Sequence, residues 1–325
     1  MAKFLVLGGA GYIGSHMVNY LQKNHHQVVV FDNLSTGFEG LVLTEQFRNI
    51  DILDSEALKT AFNDLGPFDC VIHFCAKSLV GESKTDPKIY YRNNVTGTLN
   101  LLDVMLQTGH DKIIFSSTAA TFGVPESEEI DESHPTHPIN PYGQSKLMVE
   151  KILSDYAEAY GMRSVCLRYF NAAGADPSGK IGELHDPETH LIPNILKSVL
   201  GQTEATLKVF GTDYPTPDGS CIRDYIHVND LSSAHFKAFE YIEKHTGAYR
   251  YNLGIGNGFS VLDVIRTAEK VVGKPIPFDL AERRAGDPPK LIADSTRAQK
   301  ELGWQPQFLE LEEIIQTAWD FHKNR

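Results

Sequence analysis

Phe4-Leu5-Val6-Leu7-Gly8-Gly9-Ala10-Gly11-Tyr12-Ile13-Gly14-Ser15-His16 sets a short apolar run directly before three glycines, Gly8, Gly11 and Gly14, at spacing three. Chance alone gives roughly 0.2 such triplets in a chain of this size, so the setting carries the reading. The apolar run reads as a strand and the residues after it as an amphipathic helix. Glycines at that junction let the backbone turn tightly and approach a pyrophosphate, whose charge rests on the helix N-terminus. The next apolar run ends in Val30-Phe31-Asp32-Asn33, with Asp32 eighteen residues after Gly14. An acid at that distance accepts hydrogen bonds from adenosine ribose hydroxyls and repels a 2′-phosphate, which favours NAD over NADP.

Outward from this unit the pattern repeats. Apolar runs at 4–7, 28–31, 70–75, 113–115 and 165–170 alternate with helical stretches at 12–24, 55–65, 86–107 and 142–160. That alternation predicts an α/β fold with a doubly wound, Rossmann-type parallel sheet. Continuous Val/Ile/Leu runs fit strands buried on both faces. After Asn171 the texture changes. Residues 172–187 are rich in Gly, Pro and Asp and read as loop. Helical pieces follow at 191–200, 231–244, 261–271, 295–302 and 311–322, with strand candidates at 207–210, 225–228, 249–253 and 276–278. The expected organisation is a dinucleotide-binding domain over 1–171, a segment near 222–250 returning to its sheet, and a smaller mixed α/β substrate domain over 172–325.

The 325 residues are 42% hydrophobic and 22% charged, an ordinary globular balance that suits about two domains. The formal charge of -12 argues against nucleic acid as a partner, because phosphate neutralisation supplies most of that affinity. An anionic ligand must therefore be held by local groups. Cys70, Cys75, Cys166 and Cys221 show no Cys-x-x-Cys spacing, so they read as small buried hydrophobes. The thirteen histidines show no His-Glu-x-x-His pattern or metal-like cluster, and no metal is expected. The first residues do not form a signal peptide, and no apolar run approaches the roughly 18 residues of a membrane span. A cytoplasmic protein without membrane contact is expected. The five carboxylates in 126–132 read as a solvated face.

Tyr142 and Lys146 form the one Tyr-x-x-x-Lys pair in the chain. Chance predicts about one, so again the surroundings decide. The pair opens a predicted helix, so both side chains share a face. Pro135, Pro138 and Pro141 give an extended lead-in that fixes where the helix begins. Ser116, Ser117 and Thr118 end a predicted strand upstream and offer hydroxyls at the sheet's carboxyl edge. His73-Phe74-Cys75-Ala76 ends another strand at that edge, where ligands bind in open α/β sheets. A tyrosine near pKa ~10 is a poor base at neutral pH. A nearby ammonium and a cationic nicotinamide would both favour its phenolate.

These blocks resemble the extended short-chain dehydrogenase/reductases, and within them the UDP-glucose 4-epimerases over nearly the full chain. The similar segments are residues 8–16, Asn93-Asn94-Val95-Thr96-Gly97-Thr98, residues 116–123, residues 141–146, Arg168-Tyr169-Phe170-Asn171-Ala172-Ala173-Gly174, Arg223-Asp224-Tyr225-Ile226-His227-Val228 and Arg283-Arg284-Ala285-Gly286-Asp287, in the family's order. The resemblance implies an NAD site lined by Gly8, Gly11, Tyr12, Ile13, Gly14, Asp32, Asn33, Asp51, Ile52, Phe74, Cys75, Ala76, Asn94, Ser116, Tyr142, Lys146 and Tyr169. It implies that Thr118 and Tyr142 meet the reacting sugar hydroxyl. Asn171, Leu191, Phe210, Arg223, Tyr225, Arg284, Asp287 and Leu291 would hold the UDP-sugar.

The sequence departs from the family in places. Thr118 stands where Ser is common, Phe122 where Tyr is common, and His190 where some relatives have Asn. Lys77 lies one position before the lysine of some members. The implied reaction is C4 epimerisation of UDP-galactose and UDP-glucose through a 4-keto sugar, with slower action on UDP-N-acetylglucosamine because Leu291 is smaller than the Tyr of restricted members. The resemblance also implies a homodimer built through a four-helix contact. A nucleotide-sugar 4,6-dehydratase and a non-catalytic NAD-sensing scaffold are the alternatives. Ala119-Ala120, where dehydratases carry Asp-Glu, and the intact Thr118, Tyr142 and Lys146 separate them.

Overall fold

The computed structural model describes residues 1–203, 206–284 and 287–325. The first half runs β1 (Lys3–Leu7), α1 (Tyr12–Lys23), β2 (Gln27–Asp32), β3 (Phe47–Asn49), α2 (Ser55–Leu65), β4 (Cys70–His73), α3 (Val80–Thr85), α4 (Pro87–Tyr90), α5 (Gly97–Gln107), β5 (Lys112–Thr118), β6 (Glu129–Ile130), α6 (Pro141–Tyr160) and β7 (Arg163–Tyr169). The second half runs β8 (Asn171–Ala173), α7 (Leu191–Val199), β9 (Leu207–Phe210), β10 (Ile222–His227), α8 (Val228–Ile242), β11 (Ala248–Leu253), β12 (Gly258–Ser260), α9 (Val261–Val272), β13 (Phe278–Ala281), β14 (Lys290–Ala293), α10 (Thr296–Leu302) and α11 (Leu311–His322).

Seven parallel strands form the main sheet in the order β11-β7-β5-β4-β1-β2-β3. β1 is apolar over Phe4–Leu7 and β4 over Cys70–Ile72, and β5 and β7 carry buried apolar stretches at Ile113–Phe115 and Val165–Leu167, as burial on both faces demands. One core packs α1 and α8 against one face through Met17, Leu21, Leu231 and Phe239. The other packs α2, α5 and α6 against the opposite face through Leu58, Leu101, Met105 and Leu153. The chain leaves β1 toward β2 and β3, and leaves β4 the other way toward β5. A crevice therefore opens between the carboxyl ends of β1 and β4.

The predicted helix over 86–107 is interrupted. Between α4 and α5 the chain widens into a π-helical turn, Tyr91–Thr96, which carries Asn94. Of the segment near 222–250 expected to return, β11 joins the main sheet beside β7 and α8 packs on its face. β10 instead centres a second sheet, in the order β12-β10-β14-β6 with β8 paired to β10. Its short strands β6, β8, β12 and β14 were not expected from the sequence. The strand candidate at 276–278 is displaced to β13, which pairs with β9. The acidic stretch 126–132 is partly structural: β6 pairs with β14, and Glu132 accepts a 2.6 Å hydrogen bond from the Asn252 amide.

Helix α6 is tied to the sheet by charge. Glu150 is fully buried and accepts from Ser117 (2.5 Å) and from two nitrogens of Arg168 (2.9 and 2.6 Å), with Arg250 Nε 3.2 Å away. Removing one partner of such a cluster leaves a buried charge uncompensated. Glu150→Ala should therefore destabilise the protein by about 3–5 kcal/mol in denaturant titrations. A loss under 1 kcal/mol would show that Arg168 finds water or another anion.

Candidate active site

The crevice between β1 and β4 is lined by Gly8, Gly11, Asp32, Asn33, Ile52, Phe74, Cys75 and Ala76. Its floor needs glycine. Gly8 has φ +79°, and a Cβ there would lie 2.6 Å from the Cys75 nitrogen. A Cβ on Gly14 would lie 2.0 Å from the Gly8 carbonyl oxygen, so α1 could not approach the turn. Asp32 is held by the Ala10 amide (3.0 Å) and the Leu34 amide (2.8 Å). Burial pushes its carboxyl up from the ordinary value, and the two amides oppose that. A backbone cradle beneath a helix N-terminus, with a fixed carboxylate at the end of β2, fits the pyrophosphate and adenosine ribose of NAD.

Three residues expected here do other work with their side chains. The Tyr12 hydroxyl donates to the Gly174 carbonyl at 2.6 Å, which fixes α1 to the chain after β8. Ile13 packs into the core beneath the loop. Asp51 accepts from Asn33 Nδ2 at 2.9 Å and from the Leu53 amide at 2.8 Å, so it positions Asn33. The crevice also takes in Ser35, Thr36, Gly37, Ile50, Lys77 and Asn93, which sequence reasoning did not assign as lining. The small polar run after Asp32 was a usable signal for three of them.

Beside the crevice, Thr118 ends β5 and Tyr142 and Lys146 open α6. Asn140 caps that helix by accepting from the Gly143 amide at 2.8 Å, and Pro141 fills its first turn. The Lys146 ammonium is buried and donates to the Ser116 carbonyl at 2.7 Å, with the Phe115 ring 4.7 Å below it. Burial lowers its pKa to about 8. Tyr142 is raised above the ordinary phenol value by burial, and a hydrogen bond with Thr118 opposes this. The expected relief of Tyr142 by the Lys146 ammonium is therefore not the main effect within the protein itself. The Ser116 and Tyr169 hydroxyls are hydrogen bonded to each other. Asn94 accepts from the Lys77 amide (2.9 Å) and donates to the Lys77 carbonyl and to Ser145 Oγ (both 3.0 Å), so it joins the turn after β4 to α6.

The remaining predicted residues lie on the second sheet and the elements beside it. Asn171 donates to the Asp224 carbonyl at 2.9 Å, and Tyr225 is buried one position further along β10. Arg223 Nη1 donates to the carbonyls of Ile222 (2.8 Å) and Pro288 (3.0 Å), and its Nη2 lies 3.5 Å from Asp287. The Arg284 guanidinium lies over the Phe210 ring at 4.0 Å. Ala285 and Gly286 of the resembling block fall outside the described residues. Leu191 opens α7. Leu291 pairs with Arg223 across the strands and packs on the cluster of Ala119, Phe122 and Ile130. His190 Nδ1 lies 2.5 Å from Glu183 Oε1. The reading of the histidines as scattered is corrected at this point. Glu183, His185, Glu188 and His190 bring one ligand atom each within 4.8 Å of one another. The spacing Glu-x-His-x-x-Glu-x-His matches no helical ligand pattern, and only the loop's turn gathers it.

A glycine cradle at the switch point of a parallel sheet, beside a Tyr-x-x-x-Lys helix and a hydroxyl at the end of β5, defines an extended short-chain dehydrogenase/reductase. The chain belongs to the NAD dependent epimerase/dehydratase family, whose model matches residues 4–254. It is 53% identical over 319 residues to a UDP-glucose 4-epimerase of Halalkalibacterium halodurans, covering 98% of this chain and 95% of that one. A solved UDP-glucose 4-epimerase from Brucella ovis in complex with NAD superposes with TM-score 0.95 at 47% identity, covering 99% of both chains. The UDP-Glc/GlcNAc 4-epimerase of Campylobacter jejuni superposes with TM-score 0.86 at 42% identity, covering 100% of both.

The Asp32 geometry yields a cofactor test. Asp32→Ala removes the carboxylate expected to meet the adenosine ribose, and hydrogen bonds to charged groups are worth about 1.5–3 kcal/mol. NAD affinity should fall about ten- to a hundredfold, and discrimination against NADP should relax in a binding titration. Unchanged preference would make Asp32 a residue of the turn alone.

Proposed function

We propose that the chain interconverts UDP-galactose and UDP-glucose at C4 through a 4-keto sugar, with NAD retained through the cycle. The observation that carries this is the convergence of Thr118, Tyr142 and Lys146 at the carboxyl end of β5, beside the glycine cradle. Bound NAD supplies a hydride acceptor for C4 and a donor that returns the hydride to the opposite face of the keto sugar. Tyr142 takes the 4-hydroxyl proton and later returns it, and Thr118 shares that proton's path. Lys146, fixed on the Ser116 carbonyl, holds the nicotinamide ribose and supplies positive charge next to the phenol. Gly8, Gly11 and Gly14 seat the pyrophosphate, and Asp32 the adenosine ribose. The other residues named for the NAD site supply its walls. Ala119 and Ala120 offer no carboxyl to eliminate water, which separates this site from a dehydratase.

Arg223 and Arg284 give the substrate diphosphate two planar cations in a protein of net charge -12. Asn171, Leu191, Phe210, Tyr225 and Asp287 complete that half. The division of labour is NAD on 1–171 with its returning segment, and UDP-sugar on 172–325. Helices α5 and α6 lie side by side, with the Tyr156 hydroxyl 3.3 Å from Asp103, and two such pairs would make the four-helix contact of a homodimer. The four free thiols suit the reducing cytoplasm.

Purified protein should turn over UDP-galactose with no added NAD. Under those conditions Tyr142→Phe should lower the rate by about 10²–10⁴-fold while UDP affinity holds. A variant within tenfold of wild type would move the base elsewhere.

Leu291 sets the finer specificity. It packs on the cluster of Ala119, Phe122 and Ile130, and Ala119 follows Thr118, so a change of its bulk would be felt near the reacting end of the sugar. An acetamido group needs volume and a partner for its amide. UDP-N-acetylglucosamine should turn over more slowly than UDP-glucose. Leu291→Tyr should suppress the N-acetyl reaction far more than the glucose reaction, and Leu291→Ser should do the opposite. Equal effects on both substrates would remove Leu291 from the gate.

A further inference from the structure

We propose that Glu183, His185, Glu188 and His190, on the loop between β8 and α7, bind one divalent transition-metal ion, zinc by the chemistry of the donors. Two imidazoles and two carboxylates form a borderline nitrogen and oxygen set that suits zinc, whereas magnesium and calcium favour oxygen alone. The spacing fits as well. Zinc bonds of about 2.0–2.2 Å in a tetrahedron place ligand atoms about 3.3–3.6 Å apart. Here His185 Nδ1 lies 3.2 Å from Glu183 Oε1 and 3.7 Å from Glu188 Oε1. His190 Nδ1 lies 3.6 Å from Glu188 Oε1 and 2.5 Å from Glu183 Oε1. Three of these four distances come within about 0.1 Å of that range, the fourth is a hydrogen bond that an ion would replace, and the other two of the six edges are at most 4.8 Å.

A second observation is independent of the spacing. The side chains of Glu183 and Glu188 are only 5% and 4% exposed. Glu188 Oε2 is buried with no hydrogen-bond partner among the described residues. Buried polar atoms are ordinarily paired, and the penalty for an unpaired carboxylate oxygen is high. Lys197 Nζ stands 3.6 Å from Glu188 Oε2, beyond hydrogen-bond reach, and its own contact is the His185 carbonyl at 3.5 Å. One lysine does not balance two buried carboxylates.

The surroundings also suit a fixed site. The amides of Thr189 and His190 donate to Glu188 Oε1 at 2.9 and 3.0 Å, which orients that carboxylate as outer-shell bonds do in metal sites. The Tyr12 ring meets His185 edge-on at 6.3 Å and walls one side. His190 is 55% exposed and leaves a way in. The loop runs from Gly174, which Tyr12 holds, to Leu191 at the head of α7. A metal there would staple the segment between the dinucleotide crevice and the proposed UDP-binding helix.

The test uses full-length protein without a histidine tag, purified with zinc present and then dialysed against metal-free buffer. Elemental analysis should find about one zinc per chain in wild type, and less than about a tenth of that in Glu188→Gln and in His185→Gln. Cobalt added to chelator-stripped wild type should give the intense visible bands of a four-coordinate site. Zinc should raise the Tm of stripped protein while magnesium at the same concentration does not. Wild type holding no more zinc than either variant, or showing only the pale spectrum of hydrated cobalt and no Tm shift, would overturn the proposal. The last two measurements need no variant, so they decide the matter even where a substitution prevents folding.

Discussion

The carboxylate of Glu150 fixes the catalytic corner without touching it. It lies one helical turn beyond Lys146 and two beyond Tyr142 on α6, fully buried, between Ser117 of β5 and Arg168 of β7. Arg250 of β11 donates to the Glu150 carbonyl at 3.3 Å and to Ser154 Oγ at 2.5 Å, so a third strand is tied to the same stretch of helix. Burying such charges gains little net stability compared with an apolar core, but it permits one geometry only. Arg168 Nη1 has no hydrogen-bond partner among the described residues, and the guanidinium rests 4.9 Å from the Phe122 ring. The register of α6 on the sheet, and so the height of Tyr142 beside Thr118, follows from that clamp.

A similar anchor joins the two sheets. Asp224 is fully buried on β10 and accepts from the amides of Ile255 (3.0 Å), Gly256 (3.1 Å) and Ala293 (3.1 Å). Ile255 and Gly256 follow β11 of the main sheet, and Ala293 ends β14 of the second. Burial raises the Asp224 carboxyl to about 6 while the three amides oppose the rise. The catalytic pair shows the same economy of charge. Burial disfavours both the Tyr142 phenolate and the Lys146 ammonium, yet with its pKa lowered only to about 8 the lysine keeps its charge at neutral pH.

Much of the first half was legible because its signals are local. A strand buried on both faces must be apolar, a turn with φ +79° takes glycine, and a helix opened by Asn140-Pro141 announces its start. The widened turn at Tyr91–Thr96 was not legible. The residues there continue a helical pattern, and the departure comes from Asn94 bonding Lys77 and Ser145, neither of which is near it in sequence. The same reason hides the strands of the second sheet. β6, β8, β12 and β14 have two to four residues each, too short for a period, and exist because β10 and its neighbours offer them partners. The side chain of Tyr12 illustrates a further limit. A motif gives its place at the head of α1 but not the Gly174 carbonyl it bonds, which is 162 residues away.

The residues proposed to choose the sugar sit where sequence patterns are weakest, and the topology gives a reason. The chemistry needs groups fixed to about half an ångström, and the main sheet supplies them at the ends of β5 and α6. Substrate choice needs surfaces that can vary without moving those groups. Leu291 meets that need: it is carried on a four-residue strand, paired to Arg223 on one side, and in contact with the Ala119 cluster on the other. Under the proposed role, a change of bulk there would alter the packing next to Thr118 while Glu150 keeps its own partners. The proposed catalytic and specificity residues thus rest on different sheets, which Asp224 links through the amides of Ile255, Gly256 and Ala293.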